Sequence, residues 1–193
     1  MVPNPDEPAL SLSEWLVLCL ICEKPTHGYV ITGLLAGESR LGQIWRVPKP
    51  VIYRAMHRLE LLGLVRTLGE QPSVHGPVRS LVEATPSGRG AAGAWLSRPV
   101  MHARDIRSEL LVKLALLDRA GADPRELLQA QRAQLIPMAA ALGDRLRAAT
   151  EFDRTMILWR YEMITATIRF LDSMSLQELA SMREEQTEPW AGR

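Results

Sequence analysis

Apolar and polar positions along this chain recur with two periods, and each change of period marks an element. Ser11-Leu12-Ser13-Glu14 offers hydroxyl caps ahead of the apolar run Trp15 to Cys22, which predicts a first helix buried on most sides. Lys24-Pro25-Thr26 ends it. Thr26 is placed to cap a second helix over roughly 27–38, whose stripe is Val30, Ile31, Leu34 and Leu35. A loop from Gly37 to Val47 follows, then Pro48 and Pro50, suited to the first turn of a third helix. In that helix Ile52, Ala55, Met56, Leu59 and Leu62 form one apolar stripe, and Tyr53, Arg54, His57 and Arg58 occupy the opposite side. After Gly63 the period shortens. Leu64 to Glu70 and Val78 to Ala84 read as two strands divided by the turn-forming stretch Gln71 to Pro77, an extended hairpin. Thr85-Pro86-Ser87-Gly88-Arg89 opens a further helix through Trp95 and Leu96.

The second half is helical with little punctuation. Ile106, Leu110, Leu114 and Leu117 line one helix that ends near Ala120-Gly121. Asp123 as cap, Pro124 in the first turn and Glu126 start a long helix to about Ala149, with Pro137 expected to kink it. A third helix begins at Asp153, with Ile157, Tyr161, Ile164, Ile168 and Leu171 on one side. Helices of this length with apolar stripes on more than one side predict an oligomerisation element.

Composition narrows the class. The chain has 193 residues, 47% hydrophobic and 23% charged, an ordinary globular balance. No window approaches the ~18 uninterrupted apolar residues of a membrane helix. The opening MVPNPDEPAL has neither a basic start nor an apolar core, so it does not read as a signal peptide. Cys19 and Cys22 are the only cysteines. They lie in an apolar helical run with no second pair or histidine following, which reads as small core residues of a reduced, cytoplasmic protein and not as a metal site. The net charge of +1 conceals an asymmetry. Residues 40–98 carry nine basic and three acidic groups, whereas residues 100–193 carry thirteen and fourteen. A local basic patch in a near-neutral protein fits contact with a polyanion.

Three helices, a hairpin and a helix make the plan of a winged helix-turn-helix, and three stretches resemble the PadR-type transcriptional regulators. Pro25-Thr26-His27-Gly28-Tyr29 matches that family's Pro-x-His-Gly-Tyr. Ile52-Tyr53-Arg54-Ala55-Met56-His57-Arg58-Leu59-Glu60-Leu61-Leu62-Gly63-Leu64-Val65 matches its recognition helix and wing entry. Gly76, Arg79, Thr85, Gly88 and Arg89 fall where its wing and following helix place theirs. The likeness covers roughly residues 10–97. Two departures stand out: Pro48-Lys49-Pro50-Val51 replaces the family's hydroxyl-bearing helix start, and Leu81-Val82 replaces its usual aromatic pair.

The expected fold is mainly α with a small two-stranded β wing, a winged helix-turn-helix domain followed by a long helical dimerisation region. Its parts are a flexible tail at 1–9, a DNA-binding domain at 10–97, a helical dimerisation and effector region at 100–185, and a tail at 186–193. On the recognition helix Lys49, Tyr53, Arg54, His57 and Arg58 are the candidate DNA contacts, Arg by two hydrogen bonds to guanine or by phosphate binding. Arg66, His75 and Arg79 are candidates on the wing, and Leu61 is expected to be covered by another part of the domain. His27 reads as a capping or packing residue. Trp15, Trp95 and Trp159 are candidates to contact a small aromatic or apolar effector, as the resemblance implies, against the commoner role of aromatics as core. Motifs for a nucleophile elbow, phosphate loop or zinc protease are lacking, so no enzyme, metal or cofactor is expected. The resemblance implies a cytoplasmic homodimeric repressor of an inverted-repeat operator on double-stranded DNA, released by an effector. The alternative is a winged-helix adaptor that contacts protein; a third possibility is a small-molecule carrier.

Overall fold

The computed structural model describes residues 9–71 and 79–174. Ser11 starts helix α1 (Leu12–Glu23) through a reciprocal box: its hydroxyl accepts from the Glu14 N–H, and the Glu14 carboxylate accepts from the Ser11 N–H at 2.6 Å. Every residue from Trp15 to Ile21 is buried, so α1 is a rod around which other elements gather. The chain divides into two compact units, Met1–Arg98 with Arg104–Asp123, and Pro99–Ala103 with Pro124–Arg193.

In the first unit α1 packs against α4 (Lys49–Leu61), α5 (Pro86–Ser97) and α6 (Leu111–Arg119). Ile31, Leu35, Ile52, Leu59, Val65, Val82 and Val112 close one continuous core around it. Burying a side chain of this size contributes about 1.5–3 kcal/mol, so this apolar packing is the main support of the unit. Strand β1 (Thr26–His27) and helix α2 (Gly28–Leu34) precede α3 (Arg40–Ile44), and β2 (Val65–Gln71) and β3 (Arg79–Ala84) follow α4. The sheet order is β1-β3-β2, antiparallel throughout.

Several expectations need correction here. The wing is a three-stranded sheet, not a two-stranded hairpin, because Thr26 and His27 pair with Val82 and Leu81. Thr26 therefore does not cap α2; His27 stands at that cap without a side-chain bond. The second helix ends at Leu34, and the expected loop 37–47 contains α3, started by Ser39, whose hydroxyl accepts from the Gly42 N–H at 2.9 Å. Leu62 lies beyond α4 as its cap and is 46% exposed; Leu61 is 74% exposed rather than covered. The helix stops there because Gly63 turns the chain at φ +68° and the Leu64 N–H bonds back to Leu59. The approach to α6 is a 3₁₀ turn and then a π turn (Ile106–Leu110), not one regular helix.

In the second unit α7 (Arg125–Ala148) and α8 (Glu151–Ser173) form a helical hairpin. Pro124, not Asp123, occupies the N-cap of α7, and the helix continues through Pro137. Leu127, Leu128 and Leu135 of α7 are buried, as are Ile157, Ile164 and Leu171 of α8, three positions of the stripe the periodicity predicts there. Arg132 of α7 pairs with Asp172 of α8. Gln131 is wholly buried and brackets Val100: it accepts from the Val100 N–H at 2.6 Å and donates to the Val100 carbonyl at 3.1 Å. Burying a primary amide is tolerated because both of its functions are satisfied.

Candidate nucleic-acid interface

Helix α4 is held from three sides so that one face stays outward. Ile52, Ala55, Met56 and Leu59 seat it in the core. Its second support is the close approach of α2. A Cβ on Gly28 would lie 2.9 Å from Tyr53 Cε1 and 3.1 Å from Met56 Sδ, so any larger residue there would displace that ring. The third is the wing: Thr67 Oγ1 donates to Glu60 Oε1 at 2.8 Å. The Thr26-His27-Gly28-Tyr29 stretch thus has a physical role at each position. Thr26 and His27 add a strand, and Gly28 admits Tyr53. In the tautomer with its proton on Nδ1, His27 donates to the Ser80 carbonyl at 3.1 Å while its ring stacks with Tyr29 at 5.7 Å.

Lys49, Tyr53, Arg54, His57 and Arg58 are all exposed along this outward face. Lys49 Nζ stands 5.9 Å from the Tyr53 ring centroid, within the range of a weak cation–π contact. Among the described residues Arg54 and His57 make no hydrogen bond or ion pair, so their donors face solvent. Arg58 differs. Its guanidinium donates to Glu14 Oε1 at 3.0 Å and to the Ala9 carbonyl at 2.9 Å, tying α4 to the start of α1. No local pattern signals this tie, since its partners lie 44 and 49 residues apart along the chain.

Glu14 is the buried end of that tie. Burial alone would raise its pKa, but hydrogen bonds from the Ser11 backbone and hydroxyl, together with the Arg58 charge, outweigh burial and hold it below the ordinary carboxylate value. A carboxyl with a depressed folded pKa contributes stability while ionised and loses it as pH falls through that folded value. Glu14→Gln is therefore expected to lower the melting temperature at neutral pH. The difference from the parent protein should shrink as pH drops below the ordinary carboxylate range, as thermal melts across acid pH would measure. A difference that persists unchanged in acid would remove the ionised pair as the cause.

On the wing Arg66 donates through Nε to Glu83 Oε1 at 2.6 Å, across the register that pairs the two residues. Its charge is thereby partly offset, although the side chain is largely exposed. Arg79 opens β3 opposite Gln71. His75 lies outside the described residues, as does Gly76. An additional basic side chain that the sequence reading passed over is Arg46, exposed two residues before the α4 cap and lying along Gly37. Arg89 serves the fold: its guanidinium donates to the Cys22 carbonyl at 2.6 Å, covering the C-terminal end of α1.

The tryptophans separate. Trp15 and Trp95 are buried and stack on each other, with centroids 5.3 Å apart and planes 6° from parallel. The ammonium of buried Lys113 lies 4.6 Å over the Trp95 ring and donates to Glu109 and to the Arg98 carbonyl, each at 2.8 Å. Burial lowers the Lys113 pKa, and the bond to Glu109 works against that shift. Trp159, on α8, is 67% exposed. Burial raises both cysteine thiols, Cys19 strongly, which favours the protonated thiol over the reactive thiolate. Among the described residues there is no cluster of His, Cys, Asp and Glu suited to a metal, and no helix is long and apolar enough to cross a membrane.

A three-helix core with an antiparallel wing and an outward basic helix face is the arrangement of a winged-helix DNA reader. Residues 17–94 match the transcriptional regulator PadR-like family. This part of the chain is similar to the PadR-like regulators. Solved structures similar to the chain include Bacillus subtilis PadR in complex with operator DNA, at 18% identity over 85% of this chain and 97% of that one, TM-score 0.45. Bacillus subtilis PadR in complex with p-coumaric acid is similar at 17% identity over 87% and 96%, TM-score 0.40. The Vibrio cholerae virulence activator AphA is similar at 21% identity over 89% and 99%, TM-score 0.36. No curated protein matches the chain. The matched region spans α4, the sheet and most of α5, so the match and the outward basic face fall on the same residues.

Proposed function

We propose that this PadR-like regulator acts in the cytoplasm as a homodimeric repressor that binds an inverted-repeat operator through α4. The observation that carries the reading is the outward face of α4, where Lys49, Tyr53, Arg54 and His57 project from a helix whose opposite side is locked in the core. Arg54 is the candidate to bridge a guanine, and Lys49 and Tyr53 are candidates to meet phosphate. Arg66, Arg79 and His75 extend the same reading to the wing. Arg58 joins it with its outer guanidinium edge, since its inner contacts hold α4 against α1. Residues 10–97 carry DNA binding in this scheme, and residues 100–185 carry dimerisation. Two such helices would enter successive major grooves about 34–36 Å apart.

A small aromatic or apolar effector would lower affinity by altering that spacing. Contact at Trp15 or Trp95 requires their stack to part, whereas the Trp159 ring is exposed. The adaptor reading draws on a different observation, the exposure of Leu61, Leu62 and Leu68 near the end of α4 and on β2. Duplex titrations over a range of salt separate the two. A DNA reader shows log affinity falling linearly with log salt through counterion release. An adaptor shows no duplex binding even at low salt.

A further inference from the structure

The outward face of α4 does not end with its cations. Leu61 follows Arg54 by seven residues, which sets it within about 20° of Arg54 around the helix axis and about 10 Å further along it. At 74% it is the most exposed large apolar side chain among the described residues. The backbone beneath it is held firmly. The Leu62 N–H donates to the Arg58 carbonyl at 3.0 Å, and the Gly63 N–H donates to the Glu60 carbonyl at 2.9 Å. Glu60 Oε1 accepts from the Thr67 hydroxyl at 2.8 Å, which ties this end of the helix to β2. Leu61 is therefore presented from a fixed position, in line with the arginine that the proposed function sets against guanine.

The chemistry of this end of α4 selects the kind of contact. Phosphate calls for a cation or a hydrogen-bond donor, and the residues of α4 after Arg58 are Leu59, Glu60 and Leu61, whose side chains supply neither. The carbonyls at a helix C-terminus form the negative end of its dipole, which also disfavours phosphate. A base edge is the better match. The 5-methyl of thymine is the apolar group that the major groove displays, and a leucine can cover it without leaving a donor or acceptor unpaired. The rise from Arg54 to Leu61 equals roughly three base-pair steps of about 3.4 Å, so a helix lying along the groove brings both residues over one site. One turn back on the same face stand His57 and Arg58, both exposed. Such polar flanks suit the hydrated floor of a groove and not the centre of a protein interface, where charged side chains are depleted.

We infer that Leu61 reads the 5-methyl group of a thymine in the major groove, about three base pairs from the base that Arg54 meets. The inference rests on the proposed reading of DNA by α4 and adds one base to it. The full-length parent protein is first used to recover duplexes from a randomised pool at low salt. One recovered duplex is then remade with each thymine in turn replaced by uracil, which removes the methyl and keeps the base pairing. Parent affinity should fall about fourfold at one of these positions, the effect of one buried methyl. Leu61→Ala should bind the thymine duplex more weakly by a similar factor, lose the distinction between thymine and uracil there, and keep the parent's salt slope, which counts phosphate contacts. Leu61→Met, of similar volume, should keep the distinction. Full discrimination retained by Leu61→Ala at every position would overturn the thymine contact. A parent protein indifferent to uracil throughout, or a recovered site without thymine, would overturn it equally, and in each of these cases α4 still reads DNA. Recovery of no duplex at low salt would sink the DNA reading and the thymine contact together.

Discussion

Replacing Lys49 and Arg54 together by alanine is expected to weaken duplex binding about a hundredfold and to flatten its salt dependence. Each phosphate contact removed takes about 0.9 from the slope of log affinity against log salt, and loss of a guanine contact costs about 1–3 kcal/mol. Both side chains are exposed, and Arg54 makes no bond within the described residues. The folded protein should therefore keep its melting temperature while it loses affinity. Arg58→Ala is the informative comparison. It removes the tie to Glu14 and to the Ala9 carbonyl, so it should lower the melting temperature even where its effect on the salt slope is small. Fluorescence anisotropy with a labelled operator fragment at several salt concentrations, alongside thermal melts, measures both quantities. If the double variant binds duplex as the parent does, the outward face of α4 is not the DNA-reading surface.

Gly88→Ala is expected to destabilise the first unit by about 3 kcal/mol, at the upper end of overpacking costs. A Cβ at this position would stand 2.0 Å from the Leu64 carbonyl oxygen, where no real contact occurs. The oxygen has little room to move. It accepts from the Thr85 N–H at 3.0 Å and from the Thr85 hydroxyl at 3.1 Å, the join between the start of β2 and the start of α5. For a unit of this size the loss corresponds to a fall in melting temperature of more than about 10 °C. Gly90→Ala, two residues on in the same helix, should do the reverse. Nothing lies within 4 Å of a Cβ there, and alanine is favoured over glycine in a helix by about 1 kcal/mol. Opposite signs for one chemical change at neighbouring positions would tie the effect to the Leu64 contact; equal signs would refute that explanation.

Much of the architecture was legible in the sequence because it follows from local periodicity. The stripe from Ile52 to Leu59 specified both that α4 is a helix and which side is buried, and therefore which side carries Tyr53, Arg54 and His57 outward. The Ser11 cap and the helix start at Thr85 were readable for the same reason, since each is set within one turn of its own helix. The errors share a cause as well. Thr26 and His27 make a strand only because β3 runs beside them, and two residues have no period to read. Leu62 continued the apolar stripe, but Gly63 ended the helix before it could be buried, and Leu61, on the outward face, stays exposed as the last residue of α4. Arg58 and Glu14 carry no sequence signal of their pairing, nor do Gln131 and Val100.

The sequence by itself determined the longer helices, the buried side of α4 and α8, and the concentration of positive charge between residues 40 and 98. Those properties depend on residues within a turn or two of one another, where backbone geometry fixes the neighbours. Only the tertiary structure decided which of the charged side chains are free. Arg54 and Arg58 are both arginines on one helix face, yet one faces solvent and the other holds α1, because the start of α1 packs beside one position and not the other. It also decided that Trp15 and Trp95 share a core stack, while Trp159 stands exposed on α8. Such pairings are set by where distant elements meet, a property of the packed whole that no local pattern encodes.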